Sequence, residues 1–281
     1  MKDTALFETA VANCIRKLLP SRVAETVVFL LKQAWAALFA VLILTAVIFT
    51  NAIWADEWWI ARYDALLAFA LLTQAAMLLF KMETWAEARV ILLFHLTGTC
   101  MEYFKVSAGS WAYPEEAFFV ILGVPMFSGF MYASVGSYIA RVIRLFDLRF
   151  TPYPPFWMTV VLAVAIYVTF FAHHFTIDIR LGLFAATVLL YARTRIVFTL
   201  GRTYRVPLPL AALLASFFLW IAENIGTHTG TWTYAGMSEH DWTPISKMGS
   251  WYLLIYVAFV TVTLVVRDPL DIRRSRATPE S

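Results

Sequence analysis

The chain has 281 residues, 61% of them hydrophobic and only 15% charged, with a mean hydropathy of +0.70. A soluble domain is nearer half apolar and a quarter charged, so the composition excludes an ordinary soluble globule and fits a chain whose surface faces lipid. The net charge of +3 comes from basic residues scattered between apolar segments, which excludes a nucleic-acid partner and leaves membrane lipid as the expected one.

Residues 1–33 open with "MKDTALFETAVANCIRKLLPSR", a basic, weakly amphipathic stretch broken by Pro20. It lacks the apolar core of a cleavable signal and reads as a cytoplasmic or interfacial segment. Apolar windows of about twenty residues, the length that crosses the hydrocarbon core, then recur. They lie at about 35–55, 60–80, 84–104, 117–140, 157–175, 181–200, 208–228 and 248–266. The expected fold is an all-α polytopic membrane bundle of about eight transmembrane helices. It forms a single transmembrane domain at 34–270, followed by a short cytoplasmic tail at 271–281.

The third span carries Glu87, Arg89, His95 and Glu102, so it belongs inside the bundle and not against lipid. In the fourth, "GVPMFSGFMYASVGSY" at 123–138 is rich in small residues that let helices approach; Pro125 is expected to kink its outer end. Pro152, Pro154 and Pro155 mark the loop before span five, and Pro207 and Pro209 the start of span seven.

Lys and Arg in short loops orient the spans. Alternating sides from the N-terminus places 18 basic residues on one side and four on the other. Both termini are therefore expected in the cytoplasm, with the chain in a bacterial inner membrane. Cys14 and Cys100 then lie on opposite sides and cannot pair, and no Cys/His cluster points to a metal. The four outer basic residues each have an acid near in sequence: Arg62 with Asp64, Lys105 with Glu102, Arg180 with Asp178, Lys247 with Asp241. They read either as interfacial pairs at helix ends or as the lining of one outward pocket.

Two stretches share a frame. "EYFKVSAGSWAY" begins at Glu102 and "ENIGTHTGTWTY" at Glu223, and each has Gly, Trp and Tyr seven, nine and eleven residues on. The offset of 121 residues also carries span one onto five and span two onto six. Two parallel four-helix halves, about 34–150 and 155–270, are expected, as in some transporters. A carboxyl at a span end, partly withdrawn from water, can serve as a general acid, and two of them can split acid and base roles. Glu102 and Glu223 are thus candidate catalytic groups. Trp111, Tyr113, Trp232 and Tyr234, with Trp242 and Trp251, would stabilise a developing cation. Asn224, Lys105, Lys247 and Arg180 complete the candidate binding set. The plainer reading is an aromatic belt at the interface.

"FFAHHFTIDIR" at 170–180 adds His174 and Asp178, four residues apart, as a candidate His–Asp pair with Arg180 at the pocket mouth. The plainer reading is an interfacial hydrogen-bonded cluster. The His–Asp pair alone has too few ligands for a metal site, although His95 and His228 could supply more; none is assigned, and no cofactor is named by the residues.

The strings "GSWAYPEEAFFVILGVPMFSGFMYASVGSYI", "TFFAHHFTIDIR" and "WIAENIGTHTGTWTY" followed by "KMGSWYLL" resemble an uncharacterised bacterial integral-membrane family, YoaT-like, number 817 among the domains of unknown function. That resemblance implies a multi-pass membrane protein without an established activity. More distantly, Glu with "TGxWxY", and "WAYPEEAFF", are similar to motif loops of membrane carotenoid hydratases and the small-subunit type of lycopene cyclases. There, paired acids are thought to protonate a polyene. The resemblance would carry that role to Glu102, Glu223 and the Glu115–Glu116 pair. Three functions follow: an acid–base enzyme on an apolar isoprenoid-type small molecule, a small transporter with a pseudo-two-fold site, and a structural or assembly protein without chemistry.

Overall fold

A computed structural model describes residues 2–55, 57–172, 178–238 and 241–270. The expected tail at 271–281 and His173, His174 lie outside them. Helix α1 (Lys2–Leu18) and α2 (Ser21–Ala36) part at Pro20. Helix α3 (Leu38–Ile53) follows α2 across a 66° bend. Then come α4 (Arg62–Leu79), α5 (Trp85–Ser107), α6 (Ser128–Leu145), α7 (Phe156–Ala172), α8 (Arg180–Tyr191), α9 (Leu208–His228) and α10 (Ile245–Val265).

The chain is mostly helical and built for a membrane. Among the described residues α4, α9 and α10 are long and apolar enough to cross one, and the bent α2–α3 pair makes a fourth if it crosses as one span. Helices α7 and α8 are apolar but shorter. Helices α5 and α6 carry buried charge, which sits inside the bundle, where such groups are tolerated at membrane depth. Glu87 closes a capping box with Thr84 at the start of α5 and accepts a 2.7 Å bond from Arg144 Nε on α6. Glu83 meets Gln74, Ser137 and the fully buried Arg141. Gly98 and Gly136 let α5 and α6 close: a Cβ at either would fall 2.6 Å from the ring of Tyr132 or Phe94.

The expectation of an all-α chain is corrected at three places. Residues expected to begin span four instead form a hairpin of β2 (Val120–Ile121) and β3 (Val124–Pro125). Leu122 and Gly123 turn it at φ 51° and 78°. The helix expected for span four, α6, therefore starts at Ser128, and Pro125 sits in a strand, where it kinks no helix. Span six ends as a helix at Tyr191. The sequence beyond it, rich in Arg and β-branched residues, becomes β5 (Arg195–Thr199), paired with β6 (Thr203–Pro207) and β4 (Arg149–Thr151). Arg193 and Arg195 resist burial in lipid, and the β-branched and aromatic residues Ile196, Val197, Phe198 and Thr199 favour a strand. The third sheet, β1 (Trp111–Ala112) with β7 (Thr233–Tyr234), joins the two repeated motifs.

Candidate functional site

Helices α5 and α9 end alike. In α5, Gly109 N–H bonds Val106 O and Ser110 N–H bonds Lys105 O; in α9, Gly230 N–H bonds Thr227 O and Thr231 N–H bonds Gly226 O. Gly109 and Gly230 take φ of 68° and 60°, the left-handed region where glycine carries no Cβ penalty. Each turn sends the chain back past its own helix, so that the Trp and Tyr behind it reach the carboxylate one turn or more before the helix end.

Glu102 accepts from Trp111 Nε1 and the Tyr113 hydroxyl, both at 2.8 Å on Oε2, and from the Tyr132 hydroxyl at 2.6 Å on Oε1. Glu223 accepts from Trp232 Nε1 at 3.3 Å and the Tyr234 hydroxyl on Oε1, and from Trp251 Nε1 at 2.8 Å on Oε2. The first two donors stand nine and eleven residues on in both motifs. The third comes from the following helix, α6 or α10, and is Tyr in one case and Trp in the other. Both carboxylates are buried, at 2% and 6% exposure. Room for Trp232 comes from Gly226, where a Cβ would lie 1.8 Å from the indole.

The two motifs meet. Ala112 pairs directly with Thr233, and Trp111 with Tyr234, antiparallel. Ala112 and Thr233 are themselves 121 residues apart, so at this pair each motif meets the corresponding position of the other. The Trp111 and Tyr234 rings stand edge-on at 5.7 Å. Burial first, then the neighbouring carboxylate charge, pushes the Tyr113 and Tyr234 phenols well above their ordinary value.

Both carboxylates line one cavity of about 1140 Å³, beyond the roughly 300–1,000 Å³ of ordinary small-molecule sites. Lys105, Lys247 and Arg180 line it at the same end, and Phe29, Gln33 and Phe198 at the other. Between the ends nearly every lining side chain is apolar. Helix α9 contributes lining residues from Leu208 to Glu223, about 22 Å of helix at 1.5 Å per residue. Ala211, Ala215 and Ala222 fall on one face of that helix and line the cavity, opposite Ala37 and Ala40. Their short side chains leave the space open.

Residues 25–259 match the family described as "Protein of unknown function (DUF817)". The chain belongs to this family. The "Uncharacterized protein YoaT" of Bacillus subtilis (strain 168) is 42% identical over 234 residues, covering 82% of this chain and 88% of that protein. Two solved structures of a mycobacterial Insig homolog, MvINS from Mycobacterium vanbaalenii, resemble the chain at 14% identity. One of them is a cross-linked trimer. Each covers 66% of this chain and 96% of the solved one, with TM-scores of 0.48 and 0.47.

In this DUF817 chain the candidate residues sort as follows. Glu102, Glu223, Trp111, Tyr113, Trp232, Tyr234, Lys105, Lys247 and Arg180 share the cavity. Asn224 does not line it: its side chain accepts from Thr243 N–H at 2.8 Å and donates to Trp220 O, fastening the start of α10. Trp242 packs beyond it, tilted against Trp220 and edge-on to His228. Asp178 pairs with Arg180 at 2.6 Å, and its expected partner His174 lies outside the described residues. Glu115 is drawn off to Arg62 at 3.1 Å, away from the cavity. Arg62 does not pair with Asp64 as the sequence suggested.

The residues that sequence reasoning undervalued are Arg62, Tyr63 and Asp64 at the start of α4. Arg62 Nη2 donates to Thr231 Oγ1 at 2.7 Å and Nη1 to Asn51 Oδ1 at 3.1 Å. Tyr63 donates to Thr231 O at 2.8 Å. Asp64 accepts from the N–H groups of Phe118 and Phe119 at 2.8 and 2.9 Å. One turn of helix thereby fixes both the second motif and the hairpin. Three polar residues in a row at the head of an apolar span were the available signal. Among the described residues no three potential metal ligands come together.

Proposed function

We propose that this membrane protein houses a long apolar molecule between its two motif-bearing segments, with the Glu102–Glu223 end as the polar terminus of the site. The observation that carries this reading is the cavity: about 1140 Å³, apolar along its length and polar at one end. The 18-to-four split of basic residues supports eight membrane segments, with both termini cytoplasmic and the polar terminus on the outer face of a bacterial inner membrane. The repeated carboxylate frames support descent from two four-helix halves.

A second reading, acid–base chemistry on an isoprenoid-type molecule, is favoured by the convergence of both carboxylates on one cavity end. The hydrogen bonds would divide the roles. An indole N–H donates and never accepts, and Glu223 has an indole on each oxygen. Glu102 alone has an oxygen, Oε1, that meets a hydroxyl and no indole, the Tyr132 hydroxyl, whereas the Tyr234 hydroxyl on Glu223 shares its oxygen with Trp232. Glu102 would then be the acid and Glu223 the fixed anion.

The test is to purify the protein from its own membrane in mild detergent and analyse organic extracts. A defined apolar compound is expected in near-stoichiometric amount, lost in Ala215→Trp, which fills the cavity, and retained in Leu213→Trp on an exposed face of α9. Equal recovery from both variants would refute the cavity reading. Conversion of that compound by wild type but not by Glu102→Gln would establish the second.

A further inference from the structure

The wall of the cavity is open on one long side. Among the described residues that line it, six are exposed: Leu30 and Ala34 on α2, Val41 on α3, Leu214 and Phe218 on α9, and Ser246 at the start of α10. Ser246 belongs to the polar end. The other five are apolar, and Leu30, Val41, Leu214 and Phe218 are each more than half exposed. A side chain that touches both a cavity and the outside marks an opening between them. This opening has α2 and α3 on one rim and α9 on the other. Leu214 and Phe218 stand about 9 and 15 Å along α9 at 1.5 Å per residue, in the stretch before Glu223.

The two rims are fastened beyond each end of the opening. At the Glu223 end Arg62 joins them: it donates to Asn51 Oδ1 at 3.1 Å, near the end of α3, and to Thr231 Oγ1 at 2.7 Å, just past α9. At the other end α2 is held to the β5–β6 hairpin, which leads into α9. Glu25 accepts from Gly201 N–H at 2.7 Å, and Phe29 stacks on Phe198 at 6.2 Å. Between these ties the α2–α3 chain bends by 66° at Ala36 and Ala37. Ala37 and Ala40 on one rim and Ala211 and Ala215 on the other are too short to fill the gap. The rims run on into exposed apolar surface, Ile48 and Phe49 on α3 and Leu213 and Phe217 on α9. On a chain built for a membrane, such a surface is covered by bilayer hydrocarbon.

We infer that this opening is a lateral window, through which a single-chain lipid dissolved in the bilayer enters and leaves the cavity sideways. The inference rests on the cavity reading above and adds the source and route of the occupant. The cavity runs along one helix, which suits one chain. Passing from bilayer to cavity, that chain exchanges one apolar surface for another, since lipid tails are as apolar as leucine. Its entry therefore costs no transfer through water.

The experiment uses the full chain in phospholipid vesicles, carrying Val41→Cys and Leu214→Cys on a Cys14→Ser, Cys100→Ser background. The probe is hexadecanol with a diazirine midway along its chain, added to the bilayer. Light fixes it to nearby residues at set times after addition, and mass spectrometry locates it. Ile139 and Ile143 on α6, buried and lining the cavity, report entry. Leu72 on α4, exposed and outside the cavity, reports the probe in the bilayer. A bismaleimide with a central disulfide is expected to bridge the two cysteines and to slow labelling of Ile139 and Ile143 at least tenfold, with Leu72 unchanged. Reductant should restore the rate, which shows that the protein stayed folded. Ser246→Trp, at the polar end, should leave the rate unchanged. Failure of the cysteines to bridge, undiminished interior labelling in the bridged protein, or a tenfold slowing by Ser246→Trp overturns the window and leaves the cavity reading standing. Absence of interior labelling with and without the bridge refutes the cavity reading and the inference together.

Discussion

Replacing each motif glutamate by glutamine should give unequal results, although the two frames look alike. Glutamine offers one oxygen and one NH₂ where glutamate offers two oxygens. In Glu102→Gln the amide oxygen takes the Oε2 position and keeps Trp111 and Tyr113. The NH₂ then faces the Tyr132 hydroxyl, which turns to accept. In Glu223→Gln an indole faces each position, Trp232 on one side and Trp251 on the other. Whichever way the amide is placed, one buried indole N–H meets an NH₂ and loses its partner. Both variants lose the charge-assisted strength of their bonds. Glu223→Gln alone adds an orphaned donor, about 1–3 kcal/mol. At roughly 2–4 °C per kcal/mol for a domain of 150–250 residues, its unfolding midpoint should fall several degrees below that of Glu102→Gln. The assay is thermal unfolding in detergent, followed by tryptophan emission. Adding Trp251→Phe to Glu223→Gln removes the orphan and should recover part of the loss, a non-additivity diagnostic of contact. Equal midpoints for the two single variants, or additive effects in the double variant, would refute the hydrogen-bond assignment.

Gly226→Ala should cost about 1–3 kcal/mol by overpacking, because its Cβ would sit 1.8 Å from the Trp232 indole; a shifted emission maximum and a lowered midpoint check this. Arg62→Met should loosen the loop turn at 229–231 and free Glu115, exposing both loops to limited proteolysis without abolishing the helical circular dichroism signal. Stability should decline as pH rises above about 10, where unfolded tyrosines ionise while Tyr113 and Tyr234, raised by burial, stay protonated. The unfolded state then binds fewer protons than the folded one, so the contribution is intact below pH 10 and lost above it. Tyr113→Phe/Tyr234→Phe should flatten the pH dependence of the unfolding midpoint.

The repeated motif was legible in the sequence because its donors are local: nine and eleven residues after each glutamate, past one positive-φ glycine. The third donors, Tyr132 and Trp251, were harder to assign, since they reach back from another helix at unequal offsets of 30 and 28 residues. The position of α9, residues 208–228, was readable from its length and its opening prolines. The hairpin at 120–125 was not, because Phe118 to Val124 is as apolar as a span. What holds it out of helix is the Asp64 carboxylate on two backbone N–H groups, a contact 54 residues away. The apolar length of the cavity was invisible for a related reason. Alanines at 211, 215 and 222 are good helix formers anywhere, and only packing shows that they face a space.

The most direct measurement is an experimental map of the protein purified from its own membrane with no lipid added. Elongated density is expected along α9, with its polar end beside Glu102 and Glu223 and its tail toward Phe29 and Phe198. A cavity closed by repacked side chains, or two glutamates facing separate surfaces, would contradict it.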